Sequence, residues 1–309
     1  MSTSVLRDVA ATRGAAVIDA ARRFALALEG TAYAGRLGLV CGDMTSDFTT
    51  ARVPYVPSLA NAQGYVHGGV AASLSLWTAM TLAVASDRAR ASAARPVSVS
   101  VNYLAAAREE ALHATARVAT RGRDLVHVEV EVVTERGRPV AAALAVLRTS
   151  GDEPSAGVPG TLPVPRREES RALISPFSRS MGMEVRSLDS AAAHLAMPRG
   201  VNEGFGSAID PGALVSLCDT CAALACMPSL DERMMGSATL SLSAVFGRSL
   251  RTQALAIGRL VAEDGAVRSA LVEVAADARS GGEPSGRTPR HAAMTALVAY
   301  RFVAAETVR

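Results

Sequence analysis

Residues 67–83 read HGGVAASLSLWTAMTLA and residues 210–226 read DPGALVSLCDTCAALAC, and the two stretches align without a gap at an offset of 143 residues. Gly69 meets Gly212, Ser73 meets Ser216, Leu74 meets Leu217 and Ala79 meets Ala222. Each stretch starts as a turn and continues as an apolar run of helical length, so the chain carries one unit twice. The differences are complementary. The first copy keeps a His67-Gly68-Gly69 turn but has Leu76 where the second has Asp219, and the second keeps that carboxylate but opens on Asp210-Pro211-Gly212.

Outward from these two helices, spanning about 67–86 and 210–227, the pattern changes from helical to alternating. After the first helix the alternating runs are Val97–Leu104, Ala111–Val118, Leu125–Val133 and Val140–Leu147, with Arg121-Gly122-Arg123-Asp124 and Arg136-Gly137-Arg138-Pro139 at hairpin positions. A helix over roughly 13–30 and extended segments near 36–57 precede the first turn. The order then repeats: a short helical turn near 174–180, strands near 182–187 and 191–197, the second helix, and strands near 237–246, 252–261, 266–276 and 292–303. Residues 280–290, SGGEPSGRTPR, read as an exposed loop. The expected organisation is an N-terminal helix extension (1–34), a first unit (35–149), a linker rich in Gly, Pro and charge (150–174), a second unit (175–304) and a tail (305–309). A long helix followed by hairpin-linked strands implies an α+β fold with the sheet wrapping the helix. An isolated unit would expose a sheet edge and a helix flank, which pairing of the two copies would cover.

Length supports the same division, since 309 residues fit two domains of about 150. All 32 basic residues are arginine, the formal net charge is only +3, and no basic stripe with interleaved aromatics is present, which argues against a nucleic-acid partner. The first 30 residues carry Arg7, Asp8, Arg13, Asp19, Arg22 and Arg23 in place of a signal peptide's apolar core, so a cytoplasmic location is expected. No later run is read as reaching the eighteen or so uncharged residues of a membrane span. Cys218, Cys221 and Cys226 lie at helical spacing beside Ala222 and Ala225 and read as core thiols. No metal or cofactor is called for, because His194 is too isolated to form a ligand set with them.

Chemistry concentrates at the two helix starts. Glycines 68 and 69 let the backbone approach a ligand closely, and free N–H groups at a helix N-terminus attract developing negative charge, as an oxyanion hole requires. Asp219 projects from an apolar helical face formed with Val215, Ala222 and Ala223. Loss of hydration there would raise the pKa of an unpartnered carboxylate and suit it to act as base or nucleophile.

The segment Asn61-Ala62-Gln63-Gly64-Tyr65-Val66-His67-Gly68-Gly69, the apolar helix after it and the four-strand sheet resemble the hotdog-fold thioesterases of the phenylacetate-pathway (PaaI-like) type, and Leu217-Cys218-Asp219-Thr220 resembles that family's catalytic helix. The resemblance covers roughly 35–149 and 175–304 and implies two tandem hotdog domains forming an intrachain pseudo-dimer, with each site built from the glycine turn of one and the Asp of the other. Asn61, Gly64, His67, Gly68 and Gly69 would then face Asp219, with Thr239 as a hydroxyl partner. Pro211 and Leu76 would leave the reciprocal site dead, since proline has no N–H to donate and leucine cannot take a proton. The implied activity is hydrolysis of an acyl-CoA, with His67 ordering the turn and Arg95, Arg121, Arg123, Arg248 and Arg251 as candidates for the phosphates. A homodimer of double hotdogs is compatible with the resemblance. The competing readings are a non-catalytic acyl-CoA sensor or binding module and a hotdog enoyl-CoA hydratase. For the hydratase, Gly42-Asp43 begins the required Gly-Asp-x-Asn-Pro-x-x-His stretch, but no Asn-Pro or His follows.

Overall fold

A computed structural model describes residues 3–86, 93–149, 161–162, 175–189, 192–227, 234–277 and 292–304. Two helices, α1 (Thr3–Glu29) and α2 (Ala32–Leu37), lead into β1 (Val40–Met44) and β2 (Phe48–Val53), followed by α3 (Gly68–Ser86) and strands β3 (Arg95–Tyr103), β4 (Leu112–Arg121), β5 (Leu125–Thr134) and β6 (Pro139–Arg148). A short β7 (Thr161–Leu162) precedes the second round: α4 (Pro176–Ser180), β8 (Glu184–Leu188), β9 (Ala192–Met197), α5 (Pro211–Cys226), β10 (Met234–Phe246), β11 (Ala254–Asp264), β12 (Val267–Asp277) and β13 (Met294–Ala304). The helices expected at about 67–86 and 210–227 and all ten expected strands fall within a few residues of where periodicity put them, whereas the N-terminal helix, expected from about residue 13, begins at Thr3. The loop expected at 280–290 and most of the linker lie outside the described residues.

The strands form one sheet in the order β1-β2-β4-β5-β6-β3-β10-β13-β12-β11-β9-β8, with β7 beside β12. This order reads the same from either end once each strand is matched to its repeat, so the sheet consists of two six-stranded hotdogs joined where β3 meets β10. At that junction Ser100 pairs with Ser243, its own counterpart at the 143-residue offset, and Val99 and Val101 flank it opposite Ala244 and Leu242. The pseudo-twofold axis therefore passes through Ser100 and Ser243, whose hydroxyls are 3.2 Å apart. It also passes between Ser73 and Ser216, 3.4 Å apart where α3 crosses α5. The sheet wraps both helices, and the chain is a double hotdog.

Helix α3 is apolar all round because sheet covers it on one side and α5 on the other. Its nineteen residues carry no charge, which corrects the reading that no run reaches the length of a membrane span. The segment is long and apolar enough, but 94% of it is buried inside the protein as a core helix. The expected thiols of α5 are likewise core: Cys218, Cys221 and Cys226 are buried, and burial pushes the Cys221 thiol up to about 12.

The repeat extends upstream of the sheet. Thr31 caps α2 and Ser175 caps α4, each accepting a backbone N–H three residues on. Gly38 and Gly182 follow at φ +73° and +66°, and each lies against a proline, Pro54 or Pro198, where a side chain would crowd at 3.0 or 2.9 Å. Each short helix hydrogen-bonds to the opposite half: Tyr33 N–H donates to the Glu203 carbonyl at 3.0 Å, and Phe177 N–H to that of Ala60 at 3.1 Å. Tyr33 is fully buried, and its hydroxyl lies on the pseudo-axis, 3.0 Å from Ser73 Oγ and 2.9 Å from Ser216 Oγ.

Candidate active site at the helix crossing

Asp219 lies on the third turn of α5, 2% exposed, at the seam between the halves. Its two carboxylate oxygens have different surroundings. Oδ1 accepts from Thr239 Oγ1 at 2.9 Å and from the Tyr300 hydroxyl, which also donates to the Asp219 carbonyl. Oδ2 faces the first hotdog. A Cβ added to Gly68 would stand 2.9 Å from Oδ2, and 3.4 Å from both Thr239 Oγ1 and the Tyr103 ring, so the side-chain-free flank of Gly68 opens onto this oxygen. Tyr103 on β3 donates to the Gly68 carbonyl at 3.2 Å. The structure thus brings Gly68, His67, Asp219 and Thr239 together across the two halves.

His67 is 8% exposed and packs on the Phe177 ring at 4.7 Å. Its Nδ1 accepts the Gly69 N–H at 3.0 Å, which fixes the proton on Nε2, 3.4 Å from Thr220 Oγ1. Thr220 in turn donates to the Ser216 carbonyl at 3.0 Å and lies 3.2 Å from Ser178 Oγ. Burial lowers the His67 pKa, while nearby Asp219 pulls the other way. The 3.4 Å approach of Nδ1 to Asp219 Oδ2 is therefore a contact of a neutral ring with the carboxylate rather than an ion pair. His67 orders the turn, and this use of the Gly69 N–H takes it out of the expected oxyanion pair. Gly69 serves packing instead, since a Cβ there would lie 2.4 Å from Ser216 Oγ. Gly68, at the first position of α3, remains the N–H that can meet an oxyanion.

Asn61 and Gly64 are placed one step further out. Asn61 Oδ1 accepts the N–H groups of Gln63 at 2.9 Å and Tyr65 at 3.0 Å, and Gly64 turns the loop at φ +83°. They build the loop that delivers His67, whose N–H reaches the Leu59 carbonyl at 2.9 Å. None of their hydrogen bonds among the described residues reaches Asp219.

The reciprocal position holds apolar residues where these polar groups stand. Thr239 pairs with Tyr300 across β10 and β13, and the same register position across β3 and β6 holds Pro96 and Leu147. Asp219, Thr239 and Tyr300 thus correspond to Leu76, Pro96 and Leu147, and Thr220 corresponds to Trp77. What survives there is the turn's own bond. Asp210 Oδ1 accepts the Gly212 N–H at 2.7 Å as His67 accepts that of Gly69, and the Trp77 indole N–H donates to Asp210 at 3.1 Å.

Burial raises the Asp210 pKa from 3.8 to about 6, against the opposing pull of the Gly212 and Trp77 donors. With a folded value above the unfolded one, native stability falls as pH rises from about 4 through 6 and stays lower beyond. A rise of this size corresponds to roughly 3 kcal/mol. Asp210→Asn keeps a capping oxygen and cannot ionise. It is expected to raise the melting temperature at pH 8 and to match wild type near pH 4; equal melting temperatures at both pH values would refute the buried-charge account.

Residues 56–148 match the family model of the acyl-CoA thioesterase N-terminal domain. Among solved structures, the chain is similar to acyl-CoA thioesterase II TesB2 from Mycobacterium marinum, with 14% identity and a TM-score of 0.58 over 87% of this chain and 97% of that one. It is also similar to the tesB protein of Mycobacterium avium subsp. paratuberculosis (14%, TM-score 0.55, covering 85% and 96%). A third likeness is to a conserved hotdog-fold protein of unknown function from Alicyclobacillus acidocaldarius (18%, TM-score 0.56, covering 86% and 96%). At these identities the likenesses establish the fold, and they run through both halves. No curated protein matches the sequence.

Proposed function

We propose that this chain, a thioester hydrolase, cleaves an acyl-CoA to the free acid and coenzyme A at the single composite site where Gly68 meets Asp219. The observation that carries the reading is the pairing of a helix-start glycine, open on its side-chain flank, with a carboxylate oxygen from the other half. Substrate carbonyl oxygen against the Gly68 N–H would be polarised by that donor and by the positive end of α3, and such a donor is worth about 10²–10³ in rate. Asp219 Oδ2 then acts by one of two routes. It takes a proton from water while the resulting hydroxide attacks the carbonyl carbon, or it attacks that carbon itself to form a mixed anhydride that water opens. In the first, the carbon–sulfur bond breaks as the tetrahedral intermediate collapses, and the thiolate takes the proton that Asp219 had removed from water. In the second, that bond breaks as the anhydride forms and the thiolate is protonated from solvent; water then opens the anhydride to release the acid and restore the Asp219 carboxylate.

The finer reading is that the Asn61–Gly69 loop is of the PaaI-like type and that the two hotdogs work as one tandem unit with one live and one degenerate site. Loss of Asp, Thr and Tyr together from one side supports it, because scattered decay would have damaged both. The deciding experiment is thiol release from a panel of aromatic, short-chain and long-chain acyl-CoAs, with a blank for the protein's own cysteines. Turnover of at least one is expected. Binding without turnover across the panel would replace the hydrolase reading with that of a sensor.

A further inference from the structure

Tyr300 is 3% exposed, buried in β13 of the second hotdog, and directly opposite Thr239 of β10 in the sheet register. Both hydroxyls point at one atom, Asp219 Oδ1, although the carboxylate has two. A carboxylate can turn about its Cβ–Cγ bond, and two donors on one oxygen, one of them also held by the Asp219 main-chain carbonyl, set that rotation. Oδ2 is left towards the Gly68 flank and the His67 ring. The opposite half supplies the comparison. Where Leu76 stands in place of the carboxylate, the two matching strand positions are Pro96 and Leu147, so the two donors occur on the side that has a carboxylate to hold.

We propose that Tyr300 is a positioning residue which, with Thr239, fixes the Asp219 carboxylate so that Oδ2 alone is presented to the substrate. This rests on the hydrolase reading above. Burial and the adjacent Asp219 hold the Tyr300 hydroxyl well above its ordinary pKa, so it stays a donor at any working pH. The other titratable groups near the carboxylate are His67 from the turn before α3, Tyr103 from β3 and Cys218 next to it on α5, whose thiol burial holds in its neutral form, and none of the three bonds Oδ1.

The test is steady-state kinetics of Tyr300→Phe over pH 5–9 on the acyl-CoA that wild type turns over best, beside Asp219→Asn. The variant should lose about 10–100-fold in kcat, the worth of a hydrogen bond to a charged group, with KM within about twofold. Removing a donor to the charged carboxylate should also move the acid limb of its kcat profile to higher pH. Thr239→Val should behave likewise, while Thr239→Ser, which keeps the donor, should retain activity; this pair carries the test if the phenyl variant does not fold. A structural role alone would lower the melting temperature and leave kcat and the acid limb in place, which overturns the proposal. If Asp219→Asn abolishes turnover and Tyr300→Phe does not alter it, only the Tyr300 assignment falls. If wild type releases no thiol from any substrate, both fall.

Discussion

Asp219→Asn is expected to lower kcat for thiol release by at least about two orders of magnitude, the usual scale for loss of a positioned base or nucleophile, while leaving the fold intact. The substitution is nearly isosteric. Its amide oxygen can still accept from Thr239 and Tyr300, so the two strand donors keep their partner. Its NH₂ then takes the place of Oδ2, 3.4 Å in wild type from His67 Nδ1, whose lone pair already accepts the Gly69 N–H. Removing a buried carboxylate also removes a desolvation cost, which offsets the incompletely paired N–H of the new amide. What disappears is the one oxygen that faces Gly68 and can accept a proton or attack. Thermal denaturation should therefore show an unchanged or higher melting temperature alongside the kinetic loss. Activity within about threefold of wild type would mean that the chemistry lies elsewhere, since no remaining group at the site could take over at that rate.

The fold was legible because its two signals are periodic and local. Nineteen uncharged, mostly apolar residues define α3, and clean alternation such as His127–Val132 defines β5. The two-residue stretch at β7 has no such pattern. The site was legible in part, through the 143-residue alignment, which sets His67 against Asp210 and Leu76 against Asp219 in one glance. Tyr300 escaped for a definite reason. The hairpin before β13 is longer than its counterpart before β6, so Leu297 rather than a residue at the constant offset matches Leu144, and Tyr300 matches Leu147 only once the strand register is known. Tyr33 escaped differently. The α2–α4 repeat has diverged to a cap, a glycine and a proline at an offset one residue longer, and its place on the pseudo-axis follows from hydrogen bonds that cross between the halves. Gly69 was expected beside Gly68 because two adjacent glycines suggest two adjacent donors. The structure separates them, since the second N–H is taken by the side chain of His67.

That separation gives a pair of alanine substitutions opposite consequences one residue apart. In Gly68→Ala the new methyl would stand 2.9 Å from Asp219 Oδ2 and 3.4 Å from its next neighbours, a crowding that the end of a side chain can relieve by a small shift. Alanine also favours the helix over glycine by roughly 0.5–1 kcal/mol, so stability should change little. Activity should fall by about 100-fold, because the methyl pushes against the Asp219 oxygen that the proposed mechanism uses, and a displacement of about 1 Å at the reacting centre has that effect. In Gly69→Ala the methyl would lie 2.4 Å from Ser216 Oγ and 2.8 Å from Ser216 Cα, and a backbone atom cannot step aside. Helices α3 and α5 must part, at a cost of about 1–3 kcal/mol for overpacking, and the Tyr33–Ser73–Ser216 hydroxyl cluster opens with them. Gly212→Ala meets Ser73, at 2.7 Å from its Oγ and 2.8 Å from its Cβ, which moves only with the backbone of α3, and should also be destabilised although its turn faces Leu76 rather than Asp219. Melting temperature and kcat measured on all three variants separate the two roles of glycine here: Gly68→Ala should lose rate and keep stability, and the other two should lose stability. A Gly68→Ala variant that keeps wild-type kcat would show that no substrate atom enters the gap between α3 and Asp219, and the composite site would have to be abandoned.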